Sequence, residues 1–296
     1  MTRNRLSRRR FIGGGVALAT AHQLQKIASA YGFAPRADVC TLVAEQEVGP
    51  YYVTGEMLRS DISEGKPGFP LELNIIVLNA RTCQALANAA VDVWHSDALG
   101  LYSGFTKQNP MGPGGPHGPG SPDTPPPGPP PGFDPGNPGN GDAPPPIETS
   151  DKLTFLRGIQ LTGTDGAVRF DTIFPGYYMG RTNHIHFKVR IGGHQEGKSY
   201  ADGHTSHVGQ VFFAEELSAK LMLLAPYSKH KIHRTTQAED GVFTSQHGEA
   251  SICQLAAIQG RDFARGMRAS LVAAVDPTAT PPPARRIGGP GRPLGR

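Results

Sequence analysis

Phe174-Pro-Gly-Tyr-Tyr-Met-Gly-Arg-Thr-Asn-His-Ile-His-Phe-Lys-Val189 reads as a turn followed by a strand. Pro175-Gly176 supplies the turn. Over residues 183–189 apolar and polar side chains alternate, which predicts that Ile185, Phe187 and Val189 face a core while His184, His186 and Lys188 face the other way. Side chains two apart on a strand share a face, with Cα atoms roughly 6–7 Å apart, so two imidazoles there can reach one metal ion. Tyr177 and Tyr178 follow the turn closely enough to fold back toward the histidines. A phenol ionises near neutral pH only beside a strong positive charge, so phenols with imidazoles suit a trivalent ion better than zinc. The plain alternative is a histidine pair without a metal and two turn aromatics.

Working outward, further runs have the short, β-branched character of strands: residues 71–78, 90–95, 155–162, 167–173 and 209–214. Asp165-Gly166 between two of them is a hairpin signal. Residues 192–207 read as a loop and 215–224 as a short helix. Residues 250–257 and 264–274 fit either a strand and a helix or two strands. The fold class expected is all-β, a sandwich of seven or more short strands with short helices and long loops.

The chain has 296 residues, with 38 Gly and 28 Pro unevenly spread. Sixteen of the prolines fall within residues 109–146, a composition that predicts a disordered or polyproline-like surface insertion, with a Pro-rich docking sequence as the alternative. Residues 1–30 carry six basic groups and no acids; without them the net charge falls from +4 to −2. The body is mildly acidic, which points away from nucleic acid. Ser7-Arg-Arg-Arg-Phe-Ile12, the small and apolar run that follows and Ala28-Ser29-Ala30 have the pattern of a twin-arginine signal peptide; a basic disordered arm is the alternative. The run is too short for a stable membrane anchor. The expected division is a signal at 1–30, a catalytic domain at 31–275 containing the insertion, and a disordered Pro/Arg tail at 276–296. The expected location is periplasmic or extracellular. Of Cys40, Cys83 and Cys253, export permits one disulfide, with the pair left open.

Taken together, Val91-Asp-Val-Trp-His95 leading to Leu101-Tyr-Ser103, Asp165-Gly166 with Val168-Arg-Phe170, Ile173-x-Pro-Gly-Tyr-Tyr178, Arg181-x-x-His-Ile-His-Phe187 and Gln210-Val-Phe-Phe213 resemble the intradiol ring-cleavage dioxygenases, the catechol and protocatechuate 3,4-dioxygenase type. The resemblance covers roughly residues 40–215 and implies a sandwich of prealbumin-like type. It implies a non-haem Fe(III) held by Tyr102, Tyr178, His184 and His186, with Tyr177 competing for the role of Tyr178. It places Arg181 beside the bound ring, Gln210 as a polar residue behind the ligands and Tyr51 on the substrate pocket, or else as a packed surface aromatic. Tyr178, Arg181 and Gln210 are then the residues of catalysis. The implied reaction cleaves an aromatic ortho-diol between its hydroxyls with O2, giving a cis,cis-muconate type product. The implied partners are that diol, O2 and the twin-arginine export machinery, and a homo-oligomer is compatible with them.

Several features depart from better-known members. The helical dimerisation segment of the catechol-specific branch is missing, the Pro-rich insertion follows the Tyr102 loop, and export is unlike the cytoplasmic enzymes. His95, His194, His204 and His207 fit no ligand pattern. A cupin would need a glutamate four or five residues past His186, where Arg190 and Ile191 stand. A non-catalytic exported module binding aromatics or glycans on the same sandwich is the alternative function.

Overall fold

A computed structural model describes residues 41–55, 57–107, 148–258 and 263–282. The expected signal, the whole Pro-rich insertion, Cys40 and the end of the tail lie outside them. Among the described residues eight strands are formed: β1 (Pro70–Asn79), β2 (Ala90–Trp94), β3 (Arg157–Leu161), β4 (Ala167–Ile173), β5 (His184–Glu196), β6 (Ser199–Phe212), β7 (Gln254–Ala257) and β8 (Met267–Val275). They make two four-stranded sheets, β4-β1-β8-β7 and β3-β2-β5-β6, an all-β sandwich with short helices.

Alternation along the strands dictates what lies between the sheets. Leu71, Leu73, Ile75 and Val77 of β1 meet Val91 and Val93 of β2, Ile185, Phe187 and Val189 of β5, and Ala269, Leu271, Ala273 and Val275 of β8 in one buried cluster. Each large side chain buried there contributes about 1.5–3 kcal/mol. The other face of β2 and β5 is buried as well, because residues 45–53 and the loops after β2 and β4 lie over it. The functional candidates sit on this second face.

Three expectations change. Residues 192–207 are not a loop: β5 runs on to Glu196 and pairs with β6 from Ser199. Gly192 and Gly203 take φ of +79° and +71°, and the register shifts at Val189/Arg190, so glycines that read as loop residues accommodate an irregular hairpin. Asp165-Gly166 does not close a hairpin: β3 pairs with β2 and β4 with β1, in different sheets, so the turn carries the chain from one layer to the other. Of the two readings for the region after residue 250, the two-strand one holds, with β7 and β8. The helix α1 (Glu215–Leu221) ends short of residue 224, and a second short helix, α2 (Gly241–Ser245), follows. Cys83 is disulfide-bonded and Cys253 is a free, buried thiol. Among the described residues no helix is long and apolar enough to cross a membrane.

The edges of the excursion at 108–147 are tied to each other. The Asp151 carboxylate accepts from the backbone amides of Gly104 and Thr106, at 2.9 Å each, and from the Thr106 hydroxyl at 2.8 Å. Lys107 N–H reaches the Ser150 hydroxyl at 3.3 Å. Residues 104–107 and 150–151 are therefore held side by side at the edge of the sandwich.

His95, at the end of β2, is fully buried between the Ser96 carbonyl and the Thr172 hydroxyl, 2.8 Å each. Burial pushes its pKa down from 6.5 to about 4. Between those values the unfolded chain binds a proton that the folded one refuses. The stability that depends on neutral His95 is complete above pH 6.5 and is lost as pH falls, by about 2 kcal/mol at pH 5. His95→Gln is expected to reduce proton uptake on unfolding between pH 5 and 6.5 by up to about one proton, read from denaturant midpoints across that range. An unchanged pH slope would contradict this assignment.

Candidate metal centre

Tyr102 reaches the site on the loop after β2. Asp97 shapes that loop: its carboxylate accepts from the Leu99 and Leu101 amides at 2.9 and 3.1 Å, and Gly100 turns the chain at φ +81°. Arg157 of β3 pins the next residue, donating from Nε to the Ser103 hydroxyl and from Nη2 to its carbonyl, 2.8 Å each. Tyr178 arrives from the turn after β4, where a Cβ on Gly176 would stand 2.3 Å from the Asp97 carbonyl, so only glycine fits. The Asn183 carboxamide holds the same turn through the carbonyls of Pro175 and Gly176, 3.0 Å each.

The adjacent tyrosines diverge. Tyr178 joins Tyr51, Trp94, Tyr102 and Phe105 in a small buried cluster. Tyr177 packs into the main core, donates to the Ile232 carbonyl at 3.2 Å and stacks edge-on against His230. His184 and His186, on the outer face of β5, bring their Nε2 atoms within 3.1 Å of each other. The rings of Tyr178 and His184 are 5.7 Å apart, those of Tyr102 and Tyr178 5.8 Å, and those of Tyr102 and His186 6.4 Å. Tyr102, Tyr178, His184 and His186 thus surround one point. Tyr51, 5% exposed, stacks on Tyr102 at 4.6 Å and closes the cluster from the side of residues 45–53, so it is not a surface aromatic.

The hydrogen bonds set the tautomers. His184 Nδ1–H donates to the Thr182 carbonyl at 2.6 Å, which leaves its Nε2 lone pair pointing at the centre. As the rings stand, His186 Nε2–H donates into that lone pair. Burial pushes both imidazoles well below their usual pKa, with the Arg181 charge adding to it. Burial pushes the Tyr102 phenol well up, and Tyr178 adds to that; burial also raises Tyr178, opposed by Arg181. Among the described residues the Tyr102 hydroxyl and His186 Nδ1 are buried without a hydrogen-bond partner. Also among them, no three His, Cys, Asp or Glu side chains converge as metal ligands. A cation here would rely on the phenols, and it would satisfy the orphaned Tyr102 oxygen. Two hard oxygens with two imidazoles fit a ferric ion.

Arg181 is nearly buried and fully directed. Its Nε donates to both Asp240 oxygens at 3.1 Å, its Nη2 to the Gln210 carbonyl oxygen, and its Nη1 lies 3.5 Å from the Tyr178 hydroxyl and 3.7 Å from Glu47. The Gln210 carboxamide is committed to Arg181 and, through Nε2, to the Glu47 carbonyl at 2.9 Å. Gln210 therefore acts on Arg181 and does not point at the centre as a free donor.

Neither a family model nor a curated protein matches the sequence. Solved structures do. An intradiol ring-cleavage dioxygenase from Tetranychus urticae overlays with a TM-score of 0.63 at 27% identity, covering 82% of this chain and 98% of that one. A second dioxygenase crystal structure gives 0.62, also at 27% identity, with the same coverage. A catechol 1,2-dioxygenase from Acinetobacter sp. ADP1 stands further off, at 0.47 and 16% identity over 96% of this chain and 84% of that one, too distant to carry weight.

Sequence reasoning missed four residues that organise this site. Gln46 accepts from Gln210 N–H at 2.6 Å, and Glu47 faces Arg181. Arg157 pins the Tyr102 loop and Asp240 holds Arg181. Only Asp240 left a local trace, since Asp-Gly ahead of Val242 and Phe243 has the pattern of a helix N-cap.

Proposed function

We propose that this chain is a non-haem Fe(III) dioxygenase that opens an aromatic ortho-diol between its hydroxyls and places both atoms of O2 in a cis,cis-muconate type product. The observation that supports it best is the convergence of two phenols and two imidazoles, with Nε2 atoms 3.1 Å apart, behind a directed arginine. The 27% identity to the Tetranychus urticae dioxygenase over nearly its whole length supports the same reading.

Tyr102, Tyr178, His184 and His186 would hold the iron. Bound there, the ferric ion supplies Lewis acidity toward the diol oxygens and draws electron density from the ring, so that the ring can react with O2. To hold the iron, the Tyr102 and Tyr178 phenols would have to give up their protons against the upward shifts that burial imposes. The Tyr178 hydroxyl, 3.5 Å from Arg181 Nη1, is the group we assign to leave the ligand set and accept a diol proton on its oxygen. Tyr102, on a loop pinned by Arg157, and the two strand histidines keep their places. Arg181, fixed by Asp240 and Gln210, offsets the negative charge that develops on the substrate oxygens. Tyr51 shields the centre from water.

Ser7-Arg-Arg-Arg-Phe-Ile12 supports export by the twin-arginine machinery to the periplasm or beyond, and a disulfide at Cys83 suits an oxidising compartment. The test is purification in air, iron analysis, and anaerobic titration with a panel of catechols before O2 is admitted and products are identified. A red-brown tyrosinate band that shifts with diol, followed by stoichiometric ring opening, is expected. A colourless protein that leaves every diol intact would end this reading.

A further inference from the structure

The two histidines are oriented by different means. His184 has the Thr182 carbonyl on Nδ1, whereas His186 Nδ1 makes no hydrogen bond among the described residues. A metal-ligating histidine ordinarily donates its other N–H to a carboxylate, carbonyl or water, and that bond orients the ring. For His186 the counterpart is Trp94. Trp94 is its Cα partner across β2 and β5, and the rings stack with centroids 4.9 Å apart and planes 3° from parallel. The indole Nε1 is likewise buried without a hydrogen bond among the described residues, so packing and not hydrogen bonding sets this ring. Tyr52 backs the indole edge-on at 4.8 Å. It is held in turn by its hydroxyl on Asp92, at 2.7 Å, and by Lys188 Nζ 3.3 Å from its ring centroid. At the edge of His186 the chain passes as Gly49, φ +69°, where a Cβ would lie 3.1 Å from Cε1 and 3.4 Å from Nε2.

We propose that Trp94 is the positioning residue of His186: its stacked indole, with the Gly49 backbone at the ring's edge, holds Nε2 toward the shared centre as the Thr182 carbonyl does for His184. The purpose of that orientation rests on the iron reading above; the orientation does not. Aromatic stacking of this kind adds to area burial and favours one ring rotation over another.

The experiment compares Trp94→Phe, Trp94→Leu and Gly49→Ala with the native protein, each first shown folded by circular dichroism. Metal-free samples give the His186 ring nitrogens by long-range 1H–15N spectra. The native protein and Trp94→Phe are expected to show one Nε2–H tautomer, and Trp94→Leu averaged ring signals. Gly49→Ala, whose Cβ would push on the ring without touching Trp94, is expected to shift the same signals. Competition of iron against a chelator then reads the consequence. Trp94→Leu should weaken iron about 10–100-fold, as loss of an outer orienting group does, with Trp94→Phe close to native. A folded Trp94→Leu with unchanged His186 signals overturns the proposal. Native protein that takes up no iron sinks the iron reading instead, and the ring spectra still decide this one.

Discussion

Iron affinity is expected to fall by more than about 100-fold in His184→Ala, beyond the 10–100-fold that outer groups command, with ring cleavage lost alongside it. His184 is the one imidazole whose tautomer is already correct: the Thr182 carbonyl takes Nδ1–H and leaves the Nε2 lone pair free. Its removal leaves His186 and two phenols, and Tyr178 is the ligand proposed to move. Three donors with one of them mobile hold a ferric ion poorly. His204→Ala is the matched control, since its ring touches the Pro277 carbonyl at 3.1 Å and is remote in the pattern of contacts from the centre. Tyr177→Phe is a second control, because its hydroxyl is turned to Ile232. Iron analysis and the visible band measure all three variants. Native iron content in His184→Ala would remove this residue from the ligand set and with it the argument for a four-donor site.

Asp240→Ala is expected to destabilise the fold by about 3–5 kcal/mol, the range for removing one partner of a buried ion pair. Asp240 has no exposed surface and serves three elements at once. Its oxygens accept from Arg181 Nε at 3.1 Å, from Thr182 N–H at 2.9 Å, and from the Val242 and Phe243 amides that begin α2. Alanine leaves a guanidinium, a β5-flanking amide and a helix start without their acceptor. Glu47, 3.7 Å from Arg181 Nη1, tempers the loss and favours the lower end of the range. Asp240→Asn keeps an oxygen for the cap and should fall between native and alanine. Arg181→Met should also destabilise, and the double variant Asp240→Asn with Arg181→Met should cost less than the sum, because the two groups share one interaction. Denaturant unfolding with the disulfide intact measures each. A loss under about 1 kcal/mol in Asp240→Ala would show that the pair is not the keystone its burial suggests.

Much of the fold is local chemistry and was legible as such. The alternation of Ile185, Phe187 and Val189 with His184, His186 and Lys188 corresponds to the two faces of β5. Asp165-Gly166 does mark a turn, between β3 and β4, but whether the flanking strands pair was not local: they belong to different sheets. The long β5–β6 hairpin was not legible. Gly192, Gly193, Gly197 and Gly203 are loop residues by composition, and only pairing with the opposite strand turns their segment into a ladder. In the site, the choice between Tyr177 and Tyr178 as the residue facing the histidines needed the fold. Both follow the same turn, and which one faces the centre depends on how that turn seats against Asp97 and His230.

From the residues alone came the elements and the side on which each strand presents its histidines, because side-chain direction follows the backbone repeat within a few residues. The packing of the sandwich supplied the neighbours. Arg181 finds Asp240 59 positions later, and Gln210 finds Gln46 164 positions earlier. His186 is steadied by a tryptophan on another strand. Such contacts arise only when separate segments are brought face to face, and no local pattern encodes a partner whose distance along the chain is unconstrained.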